Sequence, residues 1–88
     1  MPHTLDLLHA ALKKQSAAAW CRDMNLTRAA FSQARKRGRL SPTLAGNLAI
    51  ELGADAIFWT AVAAAEAEPE GPLRKRIEQT LARQKTTL

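Results

Sequence analysis

Tyrosine is absent from this chain of 88 residues, cysteine occurs once, and there are only one valine and three isoleucines. Strands draw on β-branched and aromatic residues to pack a pleated face, so a sheet is not expected. The single Cys21 excludes an internal disulfide and fits a reducing compartment. No apolar run approaches the ~18 residues of a membrane span, and no charged-then-apolar segment reads as a secretory signal. A cytoplasmic location is the expectation. His3 and His9 have only Cys21 for company, which is too little for a metal site. No nucleophile–base pair, phosphate-binding glycine loop or paired carboxylate stands out. Asp23, Asp55 and Glu51 each have a helix-surface or capping explanation. The chain therefore does not read as an enzyme, and it implies no cofactor.

What is present is alanine, leucine and positive charge. A hydrophobic content of 47% is enough for a compact helical core. The expected fold is all-α: five helices in one bundle over residues 1–68, then a hinge and a C-terminal helix over 69–88. Thr4 can cap a first helix over 5–15, with Leu5, Leu8, Ala11 and Leu12 as its apolar stripe. Lys13 and Lys14 fall in its last turn, where they complement the helix dipole. Ser41-Pro42 opens another helix with a cap and a proline at the first helical position. Leu44, Leu48, Ala49 and Leu52 form its stripe, Ile50 lies at the edge, and Gly53 ends it. Gly46 inside that helix marks a close helix approach. Asp55 caps a helix over 56–66. Glu68-Pro69-Glu70-Gly71-Pro72 is a break, followed by a helix over 73–83 whose stripe is Leu73, Ile77 and Leu81. Residues 85–88 read as a tail.

Charge is unevenly spread. Residues 1–54 carry eight basic and three acidic side chains, whereas 55–88 carry five of each. The whole excess of +5 lies in the first part, and between Arg28 and Arg39 there are five basic residues and no acid. A polyanion is the natural partner.

That basic segment continues a distinctive pattern, AAAWCRDMNLTRAAFSQARKR. It reads as two short helices, over 17–24 and 28–37, joined by a tight turn at Asn25-Leu26-Thr27. Ser16 and Thr27 are suitable N-caps, and Asn25 tolerates the left-handed conformation a bend requires. Trp20, Met24, Leu26, Phe31 and Ala34 can point into one small core. On a helix drawn at about 100° per residue, Ala30, Phe31 and Ala34 share one side of the second helix. Arg28, Ala29, Ser32, Gln33, Arg35 and Lys36 share the other. A helix presenting small, polar and basic residues fits the major groove of B-DNA.

In these residues the chain resembles the helix-turn-helix DNA-binding domain of the phage repressor and Cro type, over roughly residues 5–66. Cys21 occupies the family's small position in the first helix, Asn25 its turn glycine, and Met24, Leu26, Phe31 and Ala34 its apolar positions. Ala17 stands where the family often has a phosphate-binding Gln, so that contact would fall to a backbone amide or Gln15. The resemblance implies that Arg28, Ala29, Ser32 and Gln33 read bases: Arg to guanine, Gln to adenine, Ala against a thymine methyl. Thr27, Arg35, Lys36, Arg37 and Arg39 are the expected phosphate contacts, which set register. It further implies a sequence-specific regulator of transcription, a small phage-type repressor or activator that binds double-stranded DNA.

One short helix reads only about four base pairs, so a homodimer on a palindrome is expected. The surplus apolar surface lies C-terminal to the basic segment, and the expected dimer contact is Ile57, Phe58, Trp59, Val62, Leu73, Ile77 and Leu81. Folding of the last helix back on its own domain is the equal alternative. A second functional class stays open: a protein-interaction module on the same fold, antitoxin-like or a phage inhibitor of a host protein, in which the alanine-rich helix and the tail carry the activity.

Overall fold

Side-chain caps set three of the helix starts, as the sequence leads one to expect. Ser16 Oγ accepts from the Ala19 amide at 3.1 Å, Ser41 Oγ from Leu44 at 3.2 Å and Asp55 Oδ1 from Phe58 at 3.0 Å. Each satisfies one of the amides that a helix N-terminus leaves unpaired. The computed structural model describes residues 2–84, and residues 85–88, read above as a tail, lie outside them. The described residues form six α-helices and no strand: α1 (Thr4–Lys14), α2 (Ala17–Asp23), α3 (Arg28–Arg37), α4 (Pro42–Leu52), α5 (Ala56–Ala67) and α6 (Pro72–Ala82). The fold is all-α.

Two threonine caps are corrected. Thr27 holds the N-cap position of α3, but its hydroxyl makes no capping bond. Its carbonyl accepts instead, from Ala30 N at 3.1 Å. Thr4 is the first helical residue of α1 rather than its cap, and its side chain is fully buried. The capping group arrives from the far end of the chain. The Glu66 carboxylate on α5 accepts from the Thr4 amide at 3.2 Å and from the Thr4 hydroxyl. That hydroxyl in turn accepts from the Leu40 amide at 2.9 Å. One buried clasp thus ties together the start of α1, the α3–α4 connection and the end of α5. A carboxylate at a helix N-terminus also lies on the favourable side of the helix dipole.

The core centres on α5, where Trp59, Val62 and Ala63 are fully buried. Leu7, Leu8 and Ala11 of α1 and Ala45, Leu48 and Ala49 of α4 are buried equally completely. Leu5 and Leu12 are only half-buried, so the inner face of α1 is turned toward Leu7, which the sequence stripe did not include. Helices α4 and α5 pack closely because Gly46 has no side chain. A Cβ at Gly46 would lie 2.5 Å from Thr60 Oγ1, nearer than a Cβ carbon comes to an unbonded atom. Helix α6 packs back against α5, with Leu81 buried beneath it.

The α2–α3 pair joins this core through Trp20, Phe31 and Ala34, and the α3–α4 connection through Leu40, all nearly inaccessible. Trp20 Nε1 donates to the Ala11 carbonyl at 2.7 Å and fixes α2 against the end of α1. No helix among the described residues is long and apolar enough to cross a membrane.

Candidate nucleic-acid interface

The bend that aims α3 is built from local hydrogen bonds. Asn25 adopts positive φ (54°). The Leu26 amide donates to Cys21 O at 2.8 Å and the Asn25 amide to Arg22 O at 3.4 Å. These nested bonds are those of a Schellman ending, in which a left-handed residue turns the chain out of the helix and satisfies its last carbonyls. Glycine is the usual residue there, and Asn is one of the few others that tolerate it. Cys21 is buried, and its thiol donates to the Thr27 carbonyl at 3.5 Å, across the turn. A larger side chain at Cys21 would push α3 away. Met24 and Leu26 are half-buried against the core and floor the bend.

Beyond the bend, α3 buries only Phe31 and Ala34. Arg28, Ala29, Ser32, Gln33, Arg35 and Lys36 are all exposed, as are Thr27, Arg37 and Arg39. At about 100° per residue the exposed side chains fall into two groups. Arg28, Ala29, Ser32, Arg35 and Lys36 share an outer arc: Ala29, Ser32 and Lys36 face away from the core, and Arg28 and Arg35 lie toward its edge, Arg35 about 40° from Phe31. Gln33 and Arg37 lie to one side with Ala30, turned toward α4. There they line an open cleft of about 420 Å³ whose opposite wall is Thr43, Leu44, Asn47 and Glu51. This cleft is not visible in the sequence, because its walls lie on helices whose relative placement is a tertiary matter.

None of Arg28, Arg35, Lys36, Arg37 or Arg39 forms an ion pair with a described residue. The charges at the end of α3 have a local use, since cations near a helix C-terminus meet the negative end of its dipole. Arg28 has none: it is the first residue of α3, where the dipole repels a cation. Lys14 and Gln15 are engaged within the chain. Lys14 Nζ donates to Glu51 O at 3.2 Å, and Gln15 Nε2 to Asp23 Oδ2 at 3.1 Å. A phosphate contact from Gln15 would have to break that bond.

The seven residues expected at a dimer contact divide. Phe58, Trp59, Val62 and Leu81 are buried within the chain. They are core, because α5 is packed by α1, α4 and α6 together. Ile57, Leu73 and Ile77 stay outside, at 84%, 76% and 52% exposure. Ile50, which the sequence put at the edge of its stripe, joins them at 63%. Two shallow grooves connect these four. Ile50 and Ile57 line one between α4 and α5, Leu73 and Ile77 line one between α5 and α6, and Ala61 and Ala64 border both. The four aliphatics therefore mark one apolar strip across three helices.

No protein-family model, curated protein or solved structure matches the chain.

Proposed function

We propose that this protein is a sequence-specific double-stranded DNA-binding regulator of transcription, of the small phage-repressor kind, whose α3 enters the major groove. The observation that carries the reading is the outer arc of α3. It is exposed along its length and basic at both ends, and its Arg28 contributes nothing favourable to the helix itself. Small residues at Ala29 and Ser32 let the helix backbone approach base edges, while Arg28 has the bidentate donors that guanine recognition uses. Gln33, at the flank of the arc, is the candidate for adenine. Thr27, Arg35, Lys36, Arg37 and Arg39 hold phosphates and fix the register.

Two copies supply the length of site that one helix cannot, with half-sites about one turn, or 10 base pairs, apart. The apolar strip through Ile50, Ile57, Leu73 and Ile77 is the surface offered to the second copy. The same strip favours the second reading, a module that grips another protein, and duplex binding separates the two.

The test is selection of bound sequences from a random duplex pool, followed by titration at two salt concentrations. A palindrome is expected, with affinity falling about 10³- to 10⁵-fold between about 50 and 200 mM salt if six to ten phosphates are neutralised. On the selected site, Arg28→Ala and Gln33→Ala should each cost about 1–3 kcal/mol and relax preference at particular base pairs. Lys36→Ala should weaken all duplexes alike. A salt-insensitive or sequence-blind interaction would favour the protein-partner reading.

A further inference from the structure

We infer that two copies of this chain pair through antiparallel α5 helices, with Ile57 of each copy seated in the α5–α6 groove of the other. The pairing rests on the two-copy reading above and gives it a geometry.

Helix α5 turns one side out of the core. Ile57, Thr60, Ala64 and Ala67 are exposed and Ala61 is half-buried. Their spacing of three and four residues sets them along one line of the helix. Beyond Ile57 that line holds only alanine and threonine, so it forms a low floor between α4 and α6. Ile50 stands on the α4 side, and Leu73 and Ile77 on the α6 side. Ile57 alone projects from the floor, at 84% exposure.

The line therefore carries a knob near its start and a hole further along. Ile57 and Ala64 are seven residues apart, or about 10.5 Å along the helix. A two-fold axis crossing α5 between Thr60 and Ala61 exchanges these two levels. It sets α5 of the second copy antiparallel and puts each Ile57 opposite Ala64 of the other copy, at the groove walled by Leu73 and Ile77. Every contact made is then made twice. Threonine and alanine at the axis let the two helix backbones approach.

Charge also favours a second copy as the occupant. No ionisable side chain lines the α4–α5 groove, and the α5–α6 groove has only Glu68 and Arg74. Arg74 is engaged by Glu78 and by the Glu68 carbonyl, at 3.0 and 2.9 Å. A charged partner gains little here. A chain of net charge +5 repels its own copy unless the surfaces that meet are balanced. Residues 55–88, which supply α5 and α6, carry five charges of each sign.

The strip is small. Three helices about 8–10 Å apart, over a length of about 18 Å, cover roughly 300–400 Å² in projection. Even doubled for side-chain relief, that falls short of the ~800 Å² each partner gives up in a standard complex. A micromolar dimer is expected, tightened when a shared duplex holds both copies.

The experiment uses the full chain without duplex. Sedimentation over about 1–200 μM should show a concentration-dependent monomer–dimer equilibrium. Ile57→Asp should weaken it at least about tenfold, with an unchanged helical spectrum because the position is exposed. Engineered thiols read the register. Ile57→Cys combined with Ala64→Cys should give cross-linked dimers on oxidation. Ile57→Cys alone should not, since its two copies stand about 10 Å apart along the helices, beyond the ~7 Å a disulfide spans. Buried Cys21 is common to both variants. A chain that stays monomeric, or that pairs equally well with Ile57→Asp, overturns the pairing. Equal cross-linking by Ile57→Cys alone overturns the antiparallel register. A monomer that still binds a palindromic duplex removes the pairing and keeps the DNA reading. A chain that pairs as described and ignores duplex keeps the pairing and removes the DNA reading.

Discussion

Helices α3 and α5 are close in length, at 10 and 12 residues, and opposite in use. Two residues of α3 are buried, against six of α5. Helix α5 is hydrophobic around most of its circumference, as befits a helix enclosed by neighbours. Helix α3 is fixed by Phe31, Ala34 and a hydrogen-bonded bend, and the rest of it faces water. The difference teaches that the packing that holds the fold is concentrated on one helix, while the other keeps most of its surface out of the core. Substitutions on the outer arc of α3 have little packing to lose, so that surface can change without threatening the fold.

The sharpest test pairs one residue from each helix. Trp59→Ala should cost about 3–5 kcal/mol, the range for emptying a buried aromatic site. Ser32→Ala, on the exposed arc of α3, should stay within about 0.5 kcal/mol. Denaturant unfolding of both variants measures the contrast, and comparable losses would break it.

Close behind is the clasp at Glu66. Glu66→Ala removes a buried acceptor from the Thr4 amide and hydroxyl, and should cost about 1.5–3 kcal/mol. Glu51→Ala, an exposed carboxylate on α4, should barely register in the same assay. Smaller again is Gly46→Ala, expected to cost about 1–3 kcal/mol because its methyl meets Thr60 Oγ1. Thr60→Ala in the same chain should recover part of the loss. Additive losses would mean that the two side chains do not share the space between α4 and α5.

Local chemistry was legible in the sequence wherever a feature is settled within a few residues. Ser16, Ser41 and Asp55 cap as expected, Asn25 and Gly53 take positive φ, and α3 spans the residues predicted for it. Thr4 failed because a hydroxyl that looks like a local cap is claimed by partners 36 and 62 residues away. Glu66 was missed for the same reason. A glutamate closing an alanine-rich helix has an adequate surface explanation until α1 is placed beside it. Periodicity marked α5 as buried on several sides but not which residues remained outside, so Ile57 and Trp59 were grouped together and the structure separates them. The cleft beside Gln33 and Arg37 was beyond the sequence, since four of its lining residues sit on α4 and owe their position to packing.

The clasp also bears on the order in which the molecule assembles. The bond between Thr4 and Glu66 joins residues 62 apart, and closing so long a loop costs chain entropy before any contact repays it. The Asn25 bend involves residues only a few positions apart and has no such delay. Native structure should therefore accumulate first around local turns, with α1 secured to the end of α5 late. Kinetically, a late contact leaves the folding rate nearly unchanged and controls the rate of opening. Glu66→Ala is expected to steepen loss of the native state by accelerating unfolding, while refolding after dilution from denaturant keeps its pace.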